Sequence, residues 1–392
     1  MPRNRERAFG LFNDSFPPIL DGVTLTVQNY ARWLTEGGHR TCVVTPWNPV
    51  RPTVDGLELY RYLSLPIFNR RPYRYGYPRL DPFIWHHMRH VPFKLVHAHC
   101  PFSSGRIALY AARYHRVPLV ATFHSKYRSD LDHSLPQWMV KRIMKRILDF
   151  FNAADEVWIP QPSVEDTIRE YGYRGRLTVV DNGIDLAGDD NMPLREMKSR
   201  ARKGLGIPAD EMTLLFVGQH ILEKGVETII RTVDLLRDIP VKMHFIGNGY
   251  AVPAMKGLID RLGLGDHVVM HGILSDRHRL SRWYAAADLF LFPSFYDNAP
   301  LVVREAASMG TPAILLHGST AAEVITDGHN GFIADNTPDS YAAIIRHLHF
   351  HPAEIDRAAA GARATLSRQW KDVVEEVTVR YNEIIARYDK DR

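Results

Sequence analysis

The sequence predicts an α/β protein built from two doubly wound, parallel-sheet halves. Three observations carry this expectation. Short apolar runs alternate with amphipathic helical stretches along the chain, the pattern of parallel strands joined by crossover helices. The alternation restarts near Met212 after a polar stretch. The 392 residues also exceed what one hydrophobic core usually holds.

RAFGLFND reads as a strand ending near Asn13, and VTLTVQNYARWLTEGG as an amphipathic helix stopped by Gly37 and Gly38. TCVVTPW, LVHAHC, PLVATFH, EVWIP and LTVVDNG continue as strands. A polar helical bridge follows, from about Leu186 to Asp210. MTLLFVGQ opens the second series, with VETIIRTVDLLRD as a helix and VKMHFIGNG, HVVMHG, DLFLFPS and TPAILLHG as strands. A last helix is expected from about Ser367 to Arg387. The resulting domains are 1–185, 186–366 and a terminal helical segment 367–392. In open parallel sheets ligands bind beyond the carboxyl ends of strands, so functional residues are expected just after them.

Composition narrows the function classes. Apolar residues make up 45% and charged residues 24%, as in ordinary globular proteins. Two cysteines, Cys42 and Cys100, exclude a disulfide framework and a four-cysteine zinc site, and suggest a reducing compartment. No run approaches the ~20 apolar residues of a membrane span, and the first residues lack a signal-peptide core. The expectation is a cytoplasmic protein whose membrane contact, at the inner face of the cell membrane, is peripheral.

Net charge is +5 but unevenly spread. Residues 1–150 hold 22 Lys and Arg against 10 Asp and Glu, while the remainder holds 27 against 34. The surplus favours an acidic partner for the first half, and no nucleic-acid-binding signature accompanies it. Its densest stretch, Phe68 to Lys94, has six cations, one Asp, three His and many aromatic rings. Arg70, Arg71, Arg74 and Trp85 are therefore candidates for an acceptor or anionic-membrane surface. The alternative is a loop and short helix whose rings pack on the domain. KRIMKR, Lys141 to Arg146, reads as a solvated helix face.

The strongest motif is PSFYDNAPLVVREAASMGTPAILL, Pro293 to Leu316. A buried strand ends in a turn, with Asn298 as the expected N-cap, Pro300 near the first helical turn, and a stop at Gly310. The helix start offers free backbone N–H groups to an anion. Asp297 precedes the helix and Glu305 lies within it. Carboxylates there suit sugar hydroxyls better than phosphate.

These residues resemble the nucleotide-sugar glycosyltransferases of the GT-B fold, specifically glycosyltransferase family 4. That family carries two acidic residues separated by seven, matched here by Asp297 and Glu305. VGQHILEKG, Val217 to Gly225, is similar to its glycine–arginine…glutamate–lysine loop. DNGID, Asp181 to Asp185, FIGNG, Phe245 to Gly249, and the closing SRQWKDVVEEVTVRYNEII resemble further family segments. FNDSFPPILDGVT, VHAHCPFSSGRIAL and VATFHSKY are most similar to bacterial diacylglycerol glucosyltransferases.

The resemblance implies two Rossmann-like halves facing across a cleft, with the terminal helix crossing back to the first. It implies a retaining, metal-independent hexosyl transfer from a nucleotide sugar, UDP-glucose in the leading reading, with no cofactor. Glu305 would bind the ribose hydroxyls and Asp297 the donor sugar. Amides of Asn298, Ala299 and Leu301 would cradle sugar and diphosphate. Lys224 would neutralise the leaving diphosphate, with Gly218 and Gln219 on the same donor-side loop. Gly22 would let the first helix start approach the diphosphate, and His124 would contact the donor sugar. The implied acceptor is a membrane lipid such as diacylglycerol, or alternatively a soluble saccharide or small metabolite. A reading of another class is a nucleotide-sugar-binding protein without turnover. The chain departs from the family in Asp297, where Glu is usual, and in Gln219, where Arg is usual. His97 and His99 face one side of a strand and point to a structural or acceptor-side role rather than a metal site. GNGYAV lacks the third glycine of a dinucleotide fingerprint.

Overall fold

Strands covered by helices on both faces have to be apolar throughout, and β1 (Ala8–Phe12) and β2 (Thr41–Pro46) are buried along their whole length. The structure is a computed structural model and describes residues 6–19, 21–50, 57–67, 72–132, 135–186 and 192–390. Between β1 and β2, α1 (Gly22–Glu36) starts where the Asp21 carboxylate accepts the Thr24 N–H at 2.7 Å. It stops at Gly37, followed by Gly38 in the left-handed region at φ +82°. After β3 (Glu58–Tyr62) comes an antiparallel hairpin, β4 (Ser64–Pro66) and β5 (Arg74–Gly76). The series continues with α2 (Pro82–His90), β6 (Phe93–Ala98), α3 (Ser103–His115), β7 (Leu119–Thr122) and α4 (Tyr127–Asp132). Then follow α5 (Gln137–Asn152), β8 (Glu156–Ile159), α6 (Val164–Glu170) and β9 (Leu177–Val179). The sheet order is β3-β2-β1-β6-β7-β8-β9, with every pairing parallel.

The chain divides into two compact units, Met1–Gly183 with Trp370–Arg392, and Ile184–Gln369. The C-terminal helix Trp370–Lys390 thus belongs to the first unit. Its Tyr381 is fully buried, parallel to Trp158 with ring centroids 5.5 Å apart and 5.0 Å from Phe9. The Tyr381 hydroxyl lies 2.5 Å from His97 Nδ1. Gly183 packs so tightly on Trp370 that a Cβ there would lie 2.7 Å from that residue's backbone.

The second unit repeats the plan. It holds α7 (Leu194–Leu205), β10 (Met212–Val217), α8 (Val226–Asp234), β11 (Val241–Ile246), α9 (Val252–Leu262) and β12 (Val268–Met270). Next come α10 (Arg277–Ala286), β13 (Leu289–Phe292), α11 (Leu301–Ser308), β14 (Ala313–Leu316), β15 (Gly331–Ala334), α12 (Pro338–Phe350) and α13 (Pro352–Leu366). The order β12-β11-β10-β13-β14-β15 is again entirely parallel. The polar stretch before β10 is not a free linker, because Lys198 and Arg202 on α7 both pair with Asp288 at the start of β13. Strand order reverses between β1 and β6 in the first sheet and between β10 and β13 in the second, the points where such sheets bind ligands.

Four strands escape the sequence reading: β3, β15 and the two three-residue strands of the hairpin, β4 and β5. β3 is a half-buried edge strand with charges in it, and β15 is a four-residue strand that begins with glycine. Among the described residues, no helix is long and apolar enough to cross a membrane.

The buried Tyr381 yields a stability prediction. Tyr381→Phe removes one hydroxyl and strands the His97 nitrogen, costing about 1–3 kcal/mol. Tyr381→Ala also opens a cavity and costs about 3–5 kcal/mol. Urea denaturation followed by tryptophan fluorescence should rank the variants in that order.

Candidate functional site

In the second unit the reversal point gathers the loops after β10 and β13. Lys224 ends a short turn, Leu222–Lys224, that Gly225 closes at φ +67°. Gly225 also lies against the next loop, since a Cβ there would sit 2.4 Å from the Pro293 carbonyl oxygen. This contact brings Lys224 Nζ to 2.9 Å from Asp297 Oδ1. Both side chains are largely shielded, 12% and 18% exposed. Ser294 Oγ donates to the other Asp297 oxygen at 2.7 Å and accepts the Tyr296 N–H at 3.2 Å. The expected diphosphate lysine and sugar aspartate are therefore one ion pair, with Ser294 as a third member that the sequence did not single out.

The helix cap differs from expectation. Pro300, with φ −68° and ψ 121°, occupies the N-cap of α11, and Asn298 lies two residues before it. Proline's ring fixes the required φ, so the helix starts without a side-chain cap. The N-cap offers no side-chain acceptor to the first helical N–H groups at Leu301, which keeps that end suited to an anion. Asn298 is 4% exposed and Leu301 7%, while Ala299 is partly exposed.

Glu305 sits about one turn into α11, 4% exposed. Arg277 Nη2 donates to its Oε1 at 2.7 Å, and the buried Tyr284 hydroxyl donates to its Oε2 at 2.9 Å. Burial and the adjoining carboxylate push the Tyr284 hydroxyl far above its usual range, keeping it a donor. Each carboxylate oxygen keeps acceptor capacity for a further hydroxyl. Arg277 and Tyr284 were missed by sequence reading. Asp276, which caps α10 through the His278 N–H at 2.9 Å, was the available signal for that helix start.

Gly218 follows β10 at φ +151°, and its carbonyl lies where a Cβ of Gly247 would intrude, at 1.9 Å. The glycines of GNGYAV thus allow two loops to touch, which accounts for them without a dinucleotide. Gln219 is exposed. Its neighbour His220 is fully buried between Phe216 and Phe245, and burial pulls its pKa down to about 4.

The first unit holds the remaining candidates. Gly22 opens α1 with nothing within 4 Å of where a Cβ would stand, and Asp21 already caps that helix. His97 is fully buried, with its ring nitrogens 2.5 Å from the Tyr381 hydroxyl and 2.7 Å from Thr122 Oγ1, so it is a core residue that cannot touch an acceptor. His99 is 1% exposed, and its Nδ1 lies 3.0 Å from Nε2 of the partly exposed His124. Arg74 is turned onto Ser64 and the Trp47 ring. Trp85 Nε1 donates to the Pro78 carbonyl at 2.7 Å, with its ring against Tyr110. Arg70 and Arg71 lie outside the described residues. Among the described residues, no three His, Cys, Asp or Glu side chains group as metal ligands.

Two predictions follow from this geometry. Breaking the Arg277–Glu305 pair with Arg277→Met leaves a buried carboxylate. It should cost about 3 kcal/mol, the low end for such pairs because Arg277 is a third exposed, read as a lowered denaturation midpoint. His220 has an ordinary value of 6.5 and a folded value of about 4. Between these values the unfolded chain binds a proton that the folded chain refuses, so stability falls as pH drops through that window. His220→Gln should remove about 2–3 kcal/mol of the loss between pH 7 and 4.5, measured by urea titrations at both pH values.

Comparison with known proteins places this geometry. The family model described as Glycosyltransferase Family 4 matches residues 20–187, and the model described as Glycosyl transferases group 1 matches residues 197–364. An alpha-monoglucosyldiacylglycerol synthase of Streptococcus pneumoniae is 24% identical, over 86% of this chain and 78% of its own. A D-inositol 3-phosphate glycosyltransferase of Xylanimonas cellulosilytica is 30% identical, over 70% of this chain and 68% of its own. Among solved structures, Anabaena HepE in complex with UDP and glucose shares the fold at TM-score 0.77 and 20% identity, covering 96% of this chain and 99% of its own. The strand orders, the reversal-point site and these matches lead to one conclusion: the chain belongs to the glycosyltransferases of family 4, with the GT-B fold.

Proposed function

We propose that this protein is a retaining glycosyltransferase that moves glucose from UDP-glucose to a hydroxyl of a membrane lipid, diacylglycerol being the leading candidate. The observation that carries the reading is the shielded Lys224–Asp297 pair at the reversal point, beside the start of α11. Cleaving the bond between the anomeric carbon and the phosphate oxygen builds negative charge on the diphosphate and positive charge on the sugar. Lys224 and the helix N–H groups meet the first charge, which is a fixed, preorganised field. Asp297 accepts from sugar hydroxyls, and Glu305, held by Arg277 and Tyr284, accepts from the ribose. The acceptor oxygen bonds the anomeric carbon on the departing side, and its proton passes to the leaving phosphate oxygen. No protein base and no metal ion enters this route.

The UDP-glucose assignment draws on the solved complexes of HepE, one with UDP and glucose and one with UDP-glucose. The lipid assignment draws on the printed names of the Streptococcus pneumoniae and Acholeplasma laidlawii relatives. A surface of the first unit supports it. Tyr114 is 53% exposed beside Arg106 and Arg113 on α3, and burial with neighbouring Arg79 pulls the Arg106 pKa down, Arg146 adding to the effect. Cations beside exposed rings suit anionic headgroups. Because Arg74 and Trp85 are engaged by Ser64 and by the Pro78 carbonyl, we assign the membrane contact to α3 and its neighbours.

Purified protein incubated with UDP-glucose and vesicles containing diacylglycerol should release UDP and form a glucolipid with the donor's anomeric configuration. An inverted product, or no UDP release with any hydroxyl acceptor, overturns the proposal. Glucosylation of a soluble inositol phosphate instead of lipid selects the second reading, which the Xylanimonas relative favours. Lys224→Met should lower kcat/KM by roughly a hundredfold to a thousandfold, and excess EDTA should leave the rate unchanged. Vesicle binding should weaken as salt rises and as anionic lipid is withdrawn.

A further inference from the structure

The loop after β6 and the loop after β7 bring His99 and His124 together in the first unit. His99 Nδ1 and His124 Nε2 are 3.0 Å apart, and the ring planes lie within 18° of each other, so the contact is an in-plane hydrogen bond. One ring supplies the N–H and the other the lone pair. Either assignment fixes the tautomers of both neutral imidazoles.

We propose that His99 is a positioning residue that holds His124 with its proton on Nδ1, so that His124 meets its substrate as a hydrogen-bond donor rather than as a base. His99 is 1% exposed, and its Nε2 has no hydrogen-bond partner among the described residues. A proton on that Nε2 would be a buried, orphaned N–H, which proteins avoid more strictly than a buried lone pair. A proton on His99 Nδ1 is used in the bond to His124. His124 Nε2 then accepts, and its only remaining proton is on Nδ1. The ring of His99 is held by an edge contact from Tyr30 at 5.3 Å and by His97 at 4.0 Å. His97 cannot trade protons with it, because Tyr381 and Thr122 occupy both His97 nitrogens. Burial keeps both partners neutral, His99 well below its usual value and His124 down to about 3.

The substrate part of this inference rests on the reaction proposed above; the tautomer is a property of the folded chain. A histidine with Nε2 occupied and Nδ1 protonated cannot take the acceptor's proton, which leaves that proton to the departing phosphate oxygen.

The test is long-range proton–nitrogen correlation spectroscopy of protein carrying 15N-labelled histidine, with His124→Ala to assign the signals. The Nδ1–H pattern is expected for His124 at pH 7. An Nε2–H or doubly protonated pattern overturns the proposal. His99→Leu removes the donor and should mix the His124 tautomers and lower kcat roughly tenfold with little change in KM. His99→Asn places an amide N–H where Nδ1 stood and should restore most of both readouts; equal losses in the two variants also overturn it. Full turnover by His124→Ala would defeat the role of His124 in the reaction, while the spectrum of the unaltered protein still decides the tautomer.

Discussion

Lys224 and Asp297 lie 73 positions apart and meet at 2.9 Å where the second sheet reverses its order. Everything proposed for the second unit depends on that ion pair. A lysine alone in a shielded place loses hydration that one neighbour has to replace. Asp297 supplies the replacement, and Ser294 holds the aspartate in turn. The result is a cation whose position is set before any ligand arrives, which is what electrostatic catalysis requires. In the proposed reaction the aspartate also accepts from the sugar, so the same pair would link the charge of the leaving group to the orientation of the sugar.

The backbone around the pair is as constrained as the side chains. The loops after β10, β11 and β13 pack at distances that admit no Cβ at Gly225 or Gly247. Asp288, gripped by Lys198 and Arg202, ties α7 to the start of β13. Glu305 ties α10 to α11 through Arg277 and Tyr284. A carboxylate buried this deeply needs both partners, so the ribose contact proposed for it and its structural duty would come from the same geometry.

In the first unit the histidines are arranged by depth. His97 is locked in the core by the C-terminal helix, His99 is buried beside it, and His124 is partly exposed at a strand end. Tyr381 reaches His97 from a segment 284 positions away, so a helix at the end of the chain braces a cluster near its beginning.

The two series of strands, the reversal-point logic and the Asp297–Glu305 motif were legible in the sequence. Apolar runs, glycines and helix breakers act over a few residues, and their spacing writes itself into the chain. β3 and β15 were not legible, because a charged edge strand and a four-residue strand carry too little pattern. Nor could the sequence show that Asn298 yields the cap to Pro300, or that Arg74 and Trp85 turn inward. The pairing of Lys224 with Asp297, of Glu305 with Arg277 and Tyr284, and of His99 with His124 was settled only by tertiary structure. Hydrogen bonds and ion pairs act over about 3 Å, and which distant segments come that close is decided by how helices and strands pack.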